Sequence, residues 1–298
     1  MKDAYLAELK AFDAAATHGS MSAAARKLGL QQPTISLHIR QLEQRFGVEL
    51  FFRRGRRVEL TPFGASLREI TRRIFRAEEE AMDLLLSAQN LYHGHLKLCA
   101  VGPYNVTPMI KAFSKRWPRV RISVELGDSR EVIESVLDYR CDVGVVVHRV
   151  NDPRIHSLGF RRQDLIVFAP ANHPLAGRQG LSPSDLEGQD FVFREVGSTT
   201  RKAFEEFLER NDVRVRCALE MGSREAVREA VAQELGLGVV SDAAYVADAR
   251  LVQLEIDTQG LSTHAHVICL EERVTAPLVH EFLQVSEELR ACREDKAA

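Results

Sequence analysis

Apolar positions near the start of the chain recur at helical spacing and are broken by one short turn. A first helix is predicted to begin at Ser20 or Ser22, because either hydroxyl can accept from the free N–H groups of a first turn. Gly29 follows as a left-handed stop. After a turn over 30–32, Pro33 stands where a second helix begins, since its missing N–H costs nothing there. The pattern is typical of a helix-turn-helix.

The second helix has two contrasting faces. Four apolar residues spaced four, three and four apart predict a buried stripe: Ile35, Ile39, Leu42 and Phe46. The opposite face is predicted to carry groups suited to a DNA groove, with Thr34 and Ser36 flanking it near the N-terminus: Pro33, Leu37, Arg40, Gln41 and Gln44. Leu37 is the apolar exception, and it is either a tolerated surface leucine or a contact to a thymine methyl group.

A basic tip follows between two apolar segments, 50–52 and 58–60, which predict the strands of a hairpin. Its four arginines are Arg53, Arg54, Arg56 and Arg57. Such a tip is either a solvated turn or, beside a helix-turn-helix, a contact to phosphates or a minor groove.

These motifs together resemble the N-terminal winged helix of LysR-type transcriptional regulators. The resemblance lies in Ala-Ala-Arg at 24–26, Gln-Pro-Thr-Ile-Ser at 32–36 and Leu-Thr-Pro-x-Gly at 60–64. It implies double-stranded DNA as a partner, with DNA-reading roles at Gln32, Pro33, Thr34, Ser36 and Leu37 and wing roles at Arg53, Arg54, Arg56 and Arg57. Leu37 departs from the family pattern, since many members have a polar or basic residue there.

Charge divides the chain in the same way. Residues 1–76 hold 14 Lys and Arg against 7 Asp and Glu, whereas the whole chain holds 40 against 42, which leaves 26 against 35 for the rest. Basic charge is therefore concentrated at the candidate DNA-binding end. Five scattered cysteines favour neither a zinc finger nor a disulfide framework, and no cofactor is expected. No long apolar run or signal peptide is visible, so a cytoplasmic protein without membrane contact is expected.

The clearest periodicity joins the two parts. Eight residues spaced alternately three and four apart predict a coiled-coil seam: Leu67, Ile70, Ile74, Ala77, Ala81, Leu84, Ala88 and Leu91. Thr61 caps this helix, Pro62 begins it and Gly94 lies just past its end. The seam predicts a homodimer, and the alternative is a helix lying on its own domain. The resemblance implies assembly into a dimer or a tetramer, and RNA polymerase as a further partner.

From Gly94 onward, strands alternate with helices, which indicates an α/β fold with mostly parallel sheets. This half resembles LysR-type effector domains, which are two-lobed and similar to periplasmic binding proteins. The predicted domains are a winged helix-turn-helix over 1–60, a linker helix over 61–93 and an effector domain over 94–298. By analogy, lobe one is 94–160 with 268–298, and lobe two is 161–267.

Three loops at strand ends are expected to converge on an effector cleft. The loop over 194–201 contains three successive hydroxyls and an arginine at a helix entry, which favours an anion, although simple N-capping is the alternative. The candidate effector-binding residues are Gly102, Tyr104, Asn105, Ser129, Ser198, Thr199, Thr200, Arg201 and Ser223. The segments REVGSTTR and SREAVREAVAQELGLGVVS are similar to a LysR-type branch linked to degradation of 2-aminoethylphosphonate, which implies a phosphonate effector. Other carboxylate, sulfonate or phosphate-type anions remain alternatives.

Other classes of function receive less support from the residues. There is no Gly-x-Ser-x-Gly elbow and no spacing that unites Ser, His and Asp, so no catalytic site is predicted. His93 with His95, or His264 with His266, could share a strand face, but no third metal ligand is visible beside either pair and no metal site is predicted. A solute-binding protein is the alternative for the C-terminal half alone, and it would require export.

Overall fold

The computed structural model describes residues 2–52, 58–87 and 94–297. Contacts between residues divide the chain into two compact units, Met1–Leu91 and Tyr92–Ala298. Among the described residues, no helix combines the length and the apolar character that crossing a membrane requires.

The N-terminal unit consists of helices around a small core and one short hairpin. Its elements are α1 (Lys2–His18), α2 (Met21–Leu28), α3 (Gln32–Phe46), β1 (Phe51–Phe52), β2 (Glu59–Leu60) and α4 (Pro62–Ser87). The Ser20 hydroxyl accepts from the Ala23 N–H at 3.4 Å, and Gly29 ends α2 with a φ of 66°. Both caps of the first predicted helix are therefore confirmed.

The apolar stripe of α3 is buried along most of its length. Ile35, Ile39 and Leu42 join Phe12 of α1 and Leu50 in one core. Phe46 is a correction, because 59% of its surface is exposed. It lies in the last turn of α3, past the core, and its ring packs 6.0 Å from that of Tyr5.

The hairpin after α3 is present as an antiparallel pair in which Phe51 lies opposite Leu60. Its four arginines lie outside the described residues. Thr61 then caps α4: its hydroxyl donates to the Glu49 carbonyl at 2.6 Å and accepts from the Gly64 N–H at 3.0 Å. A Cβ at Gly64 would stand 2.1 Å from the Leu50 carbonyl oxygen, so only glycine allows this close approach.

The C-terminal unit begins with β3 (His95–Ala100), α5 (Pro103–Arg116), β4 (Arg121–Leu126), α6 (Ser129–Leu137), β5 (Val143–Val146) and the long β6 (Ile155–Pro170). It continues with β7 (Asp190–Arg194), α7 (Thr199–Arg210), β8 (Arg216–Met221), α8 (Arg224–Ala232), β9 (Gly238–Ser241), β10 (Leu251–Gln253), β11 (Ser262–Leu270) and α9 (Pro277–Ala297).

The sheets of this unit are mixed, so the prediction of mostly parallel sheets is wrong. The main strand order is β10-β6-β11-β5-β3-β4, with β9 also paired to β6, and β7 pairs with β8 separately. Pairs β3-β4, β3-β5 and β7-β8 are parallel, whereas every pair that involves β6 or β11 is antiparallel. These two long strands run through both lobes, and a local sequence pattern does not reveal their pairing direction.

Two separate cores divide the unit into lobes. The first contains Phe160, Ala265 and Val267, and the second contains Leu165 and Leu261. Strand β11 therefore crosses between the lobes before Ala265, earlier than the expected boundary at 267. The register between β6 and β11 also shifts beside Ala265 and His266.

Candidate effector-binding cleft and DNA-contacting face

Four helices of the C-terminal unit begin around one cavity of about 390 Å³. Helix α5 follows Gly102, α6 follows Asp128, α7 follows Ser198 and α8 follows Ser223. Helices α5 and α6 follow strands of the first lobe, while α7 and α8 follow strands of the second. The first turn of each helix contributes a partial positive charge to the wall of this cavity.

The two lobes are joined across the cleft by hydroxyl groups. The Ser129 and Thr199 hydroxyl oxygens lie 3.0 Å apart in a hydrogen bond. Deeper in the cleft, the Asn105 and Gln163 amides exchange two hydrogen bonds of 3.3 Å, and both side chains are buried. Gln163 belongs to the crossing strand β6, so this amide pair ties the start of α5 to the strand that links the lobes.

Two arginines line the cavity, which we call the arginine cavity. Arg224, in the first turn of α8, donates to the Val101 carbonyl at 3.0 Å. Burial, and next the neighbouring Arg194, lower the pKa of the Arg224 guanidinium below its usual range. Arg194 is held by Glu195 through contacts of 2.7 and 2.5 Å. Arg224 is therefore a desolvated cation without a carboxylate partner among the ion pairs of the described residues.

Acidic residues also line the arginine cavity, and each of them has a different role. Asp128 accepts from the Glu131 N–H while Glu131 accepts from the Asp128 N–H, which completes a capping box. Glu195 is occupied by Arg194, and Glu225 is exposed in the first turn of α8. The carboxylates thus leave Arg224 uncompensated and give the cavity places where a positively charged group could bind.

Arg201 is not among the residues that line the arginine cavity, which contradicts the role expected for it. Its guanidinium contacts Glu205 at 2.7 Å and Glu220 at 2.6 Å and donates to the Arg194 carbonyl. These two carboxylates raise its pKa above the usual range. The i, i+4 spacing to Glu205 and the neighbouring strand β8 hold this side chain, so its charge is already compensated.

The other candidate residues fall into two groups. Those that line the arginine cavity are Gly102, Ser129, Ser198, Thr199, Thr200 and Ser223. Tyr104 and Asn105 instead line a smaller pocket that shares Gly102, Thr200 and Arg224 with it. The Ser223 hydroxyl accepts from the Ala226 N–H, and Ser198 makes no side-chain cap bond to α7. The N-capping that was the alternative for this loop is therefore not made by the Ser198 side chain, whereas the Ser223 side chain does cap α8.

Arg194 and Arg224 were not among the residues predicted to bind the effector. Arg224 directly follows Ser223, which was, so a cation in the first turn of a helix was the available signal. Such a residue opposes the helix dipole and is unfavourable without a compensating role.

The candidate DNA-contacting face of α3 is accessible. Gln32, Pro33, Leu37 and Arg40 are exposed, and Thr34 and Ser36 are half-buried. The Ser22 hydroxyl donates to the Gln32 side-chain oxygen at 3.1 Å, which orients this amide from α2. Leu37 is 52% exposed. Roles in DNA contact stay predictions, as do those of the four hairpin arginines outside the described residues.

One of the two histidine pairs extends beyond the residues that the structure describes. His93 lies outside the described residues, and the His95 imidazole shares a 2.8 Å hydrogen bond with the Ser123 hydroxyl. Within 2–52, 58–87 and 94–297, no group of three or more His, Cys, Asp or Glu residues could hold a metal ion.

Comparison with known proteins agrees with a two-part regulator. Residues 6–65 match the family of bacterial regulatory helix-turn-helix proteins of the lysR family, and residues 89–290 match the LysR substrate binding domain. The HTH-type transcriptional regulator CysL of Bacillus subtilis is 32% identical over 80% of this chain and 80% of its own. The chain therefore belongs to the LysR family: it is a DNA-binding transcriptional regulator with a small-molecule effector domain, not an enzyme.

Two solved structures are similar to it. The regulatory domain of Synechocystis CcmR, in complex with 2-PG, matches with a TM-score of 0.61 and 25% identity, over 66% of this chain and 98% of that one. Full-length CbnR complexed with its target DNA matches with a TM-score of 0.69 and 21% identity, over 95% and 99%. The second match shows the fold alone.

Proposed function

We propose that this regulator responds to a small anion whose negative group binds Arg224 in the arginine cavity. The observation that carries this proposal is the half-buried Arg224 guanidinium, which is held by the Val101 carbonyl and lines a cavity bordered by the first turns of four helices. Hydrogen bonds to a charged group are stronger than neutral ones, and a cavity between two lobes allows both to contact the same ligand. Five hydroxyls supply further donors: Ser129, Ser198, Thr199, Thr200 and Ser223.

The carboxylates of the cavity refine the class of effector. Glu225 is exposed in the same cavity as Arg224, so a molecule with a negative group at one end and an ammonium at the other would satisfy both signs of charge. An aminoalkylphosphonate such as 2-aminoethylphosphonate has this form. The second candidate is a purely anionic compound such as 2-PG, with which the CcmR domain forms a complex.

Calorimetry on the full chain tests the proposal and separates these candidates. The titrants are 2-aminoethylphosphonate, ethylphosphonate and 2-PG. We expect Arg224→Gln to weaken binding roughly ten- to a hundredfold, which corresponds to about 1.5–3 kcal/mol for a hydrogen bond to a charged group. If the zwitterion is preferred, ethylphosphonate binds more weakly than its amino counterpart, and Glu225→Gln removes the difference.

Arg201→Gln is the matched control, because Arg201 lies seven residues from Arg194 in the same lobe but is occupied by Glu205 and Glu220. Its effect on binding should stay within about twofold. Equal binding by wild type and Arg224→Gln would contradict the assignment. A large loss in Arg201→Gln alone would instead favour the residue singled out by sequence.

We also propose that α3 enters a DNA groove and that α4 pairs two chains. Support for the pairing is that Ile70, Ile74, Ala77 and Ala81 are exposed in the N-terminal unit. Of the other predicted seam residues, Leu67 packs against the core of its own unit, and the side chains of Leu84, Ala88 and Leu91 lie outside what the structure describes. Helix α4 also packs on α1 through Thr71, whose hydroxyl donates to Asp13 at 2.8 Å. Phe63 is also exposed and extends the same spacing by four residues. A two-fold pair would present two α3 helices to a palindromic site. A tetramer and contact with RNA polymerase stay predictions.

A further inference from the structure

A second and larger cavity, of about 750 Å³, also has Ser129 and Thr199 in its wall. We call it the histidine cavity. Its walls come from α6, the residues after β5, α7 and β11, and it shares Ser129, Thr199, Gly197 and Val147 with the arginine cavity. Because neither Arg194 nor Arg224 lines the histidine cavity, the cations that are proposed to hold the effector do not serve it.

Three imidazoles meet in this cavity. His148 follows β5, whereas His264 and His266 lie two residues apart on β11. The buried Nδ1 atom of His148 has no hydrogen-bond partner among the described residues. The Nδ1 atom of His266 lies 3.2 Å from the Ser157 hydroxyl, which leaves Nε2 of that ring for another partner. A buried ring nitrogen without a partner is costly, so a ligand that accepts or donates here would be stabilised.

The fixed charges around the imidazoles are mostly positive. Arg130, Arg149 and Lys202 line the cavity together with two carboxylates, Glu134 and Glu206. Arg130 contacts Glu134 at 2.8 Å, and Lys202 lies 4.0 Å from Glu206. Arg149 has no carboxylate among the ion pairs of the described chain and acts on His266 electrostatically. Even with every imidazole neutral, the walls therefore carry an excess of one positive charge.

The imidazoles add charge only under certain conditions. Burial lowers the pKa of His148, with Lys202 as the second cause. Burial also lowers the pKa of His266, followed by its neighbours His264, His148 and Arg149. Both rings are therefore mainly neutral near pH 7 and become protonated as pH falls below the ordinary histidine range. An anion that arrives between them would favour the protonated forms and draw protons into the cavity.

We propose that the histidine cavity is a second ligand site, separate from the arginine cavity, which binds a compact dianionic oxyanion together with protons. The class of ligand follows from the donors: Arg149 and Lys202 supply permanent charge, the imidazoles supply further N–H donors, and Ser262 and Thr263 supply hydroxyls. Arg130 and Arg149 belong to the first lobe and Lys202 belongs to the second. A ligand held by all three would bridge the lobes.

Sulfate is the appropriate probe, because its charge stays constant while histidine titrates. The full chain carrying Arg224→Gln is titrated with sodium sulfate by calorimetry at about pH 5.5 and about pH 8, at constant ionic strength. We expect binding roughly tenfold tighter at the lower pH. Repeating the titration in two buffers of different ionisation enthalpy measures the protons taken up, and we expect net uptake at the lower pH.

Substitutions in the wall of the histidine cavity test whether the sulfate measured by calorimetry binds there. His148→Gln with His266→Gln should reduce the pH dependence to what His264 alone supplies, and Lys202→Gln should weaken sulfate binding at both pH values. Lys202 is a mostly exposed residue, so its variant keeps the test valid if the double variant does not fold. His280→Gln is the matched control, because His280 is exposed on α9, and it should leave sulfate binding unchanged. Sulfate held by the basic N-terminal end should not respond to any of these variants.

Three results would overturn the proposal. Loss of all sulfate binding in Arg224→Gln would assign the ion to the arginine cavity. Binding that does not change with pH would exclude the imidazoles. Full binding in both the double histidine variant and Lys202→Gln would place the ion elsewhere. None of these results depends on which effector the arginine cavity accepts.

Discussion

The two units of this regulator present their candidate functional groups in opposite ways. In the N-terminal unit, Leu37 and Arg40 of α3 and Ile70 of α4 are exposed on the outer faces of helices. In the C-terminal unit, Arg224 and Asn105 line cavities where their polar groups are held by neighbouring atoms. An exposed face suits a macromolecular partner, whereas a concave, desolvated site suits a small one.

The two units also differ in the free-energy cost of removing the partner of a polar group. A buried polar group that loses its partner keeps its desolvation cost, whereas an exposed group returns to water. Substitutions in the C-terminal unit are therefore expected to affect its stability or its ligand. Substitutions on the outer faces of α3 and α4 are expected to affect assembly and DNA and to leave folding largely unchanged.

The largest effect is expected at the ion pair between Arg273 and Asp142, which are only 6% and 2% exposed and 2.6 Å apart. Asp142 also accepts from the Lys97 N–H. Arg273→Leu should leave a buried carboxylate without its cation and lower the free energy of unfolding by about 3–5 kcal/mol. Trp117, the single tryptophan of the chain, lies in this unit and reports its unfolding in urea by fluorescence.

The exposed ion pair of Arg216 and Asp190 is the control, and Arg216→Leu should cost less than about 1 kcal/mol. Adding Asp142→Asn to Arg273→Leu removes the buried negative charge as well, and should recover part of the lost free energy of unfolding. Similar stabilities for Arg273→Leu and Arg216→Leu would remove the contrast between buried and exposed polar groups.

The next effect is expected in α4. Ile70→Glu with Ile74→Glu should place charges in a dry seam between two chains, at a cost of several kcal/mol as an order of magnitude, and so separate the dimer. Unfolding of the monomer should change little, because both positions are exposed in the N-terminal unit. Sedimentation at micromolar concentration measures the assembly, and DNA affinity should fall with it.

Met82→Glu is the matched control, since Met82 and Ile70 are both 54% exposed but only Ile70 lies on the three-and-four spacing. It should leave the dimer intact. If the double isoleucine variant is still a dimer, the pairing surface lies elsewhere. Helix α4 is then a helix that lies on its own domain, which is the alternative interpretation.

A smaller effect is expected at Arg40. If its exposed guanidinium neutralises a phosphate, Arg40→Ala should weaken binding to every DNA sequence and reduce the slope of log affinity against log salt by about 0.9. Affinity measured over a series of sodium chloride concentrations gives this slope. An unchanged slope would exclude Arg40 from the interface, and Arg45→Ala is the control, because Arg45 is occupied by Glu8 and by the Tyr5 ring.

The elements of the N-terminal unit could be predicted because their signals are local. Ser20, Gly29, Pro33 and Thr61 each act on a turn only a few residues away, and the structure bears out these caps. Phe46 was the exception, because the periodicity continued past the end of the core. Periodicity predicts which residues lie on the same face of a helix, but it does not predict how far along the helix that face is covered by the core.

The cleft was harder to predict, because its contacts join distant parts of the chain. The hydroxyls of 198–200 were expected at a helix entry and lie there, yet the cation that accompanies them is Arg224 rather than Arg201. Sequence alone ranks Arg201 first because it adjoins the hydroxyls. Only the structure brings β8 with Glu220 against Arg201 and brings Arg224 to Val101, 123 residues away.

The smallest effect is expected at Leu37, where the interpretation of the exposed face of α3 is least constrained. If its side chain packs on a thymine methyl, Leu37→Ala should lower affinity by about 1 kcal/mol, roughly fivefold, only for sites with thymine at one position. Selection of sites from a random-sequence duplex library by both proteins shows whether that single preference weakens. Thr34→Ala, also on the DNA-contacting face, should change a different position. If Leu37→Ala leaves every preference unchanged, Leu37 is a tolerated surface leucine and the face reads sequence through its polar residues alone.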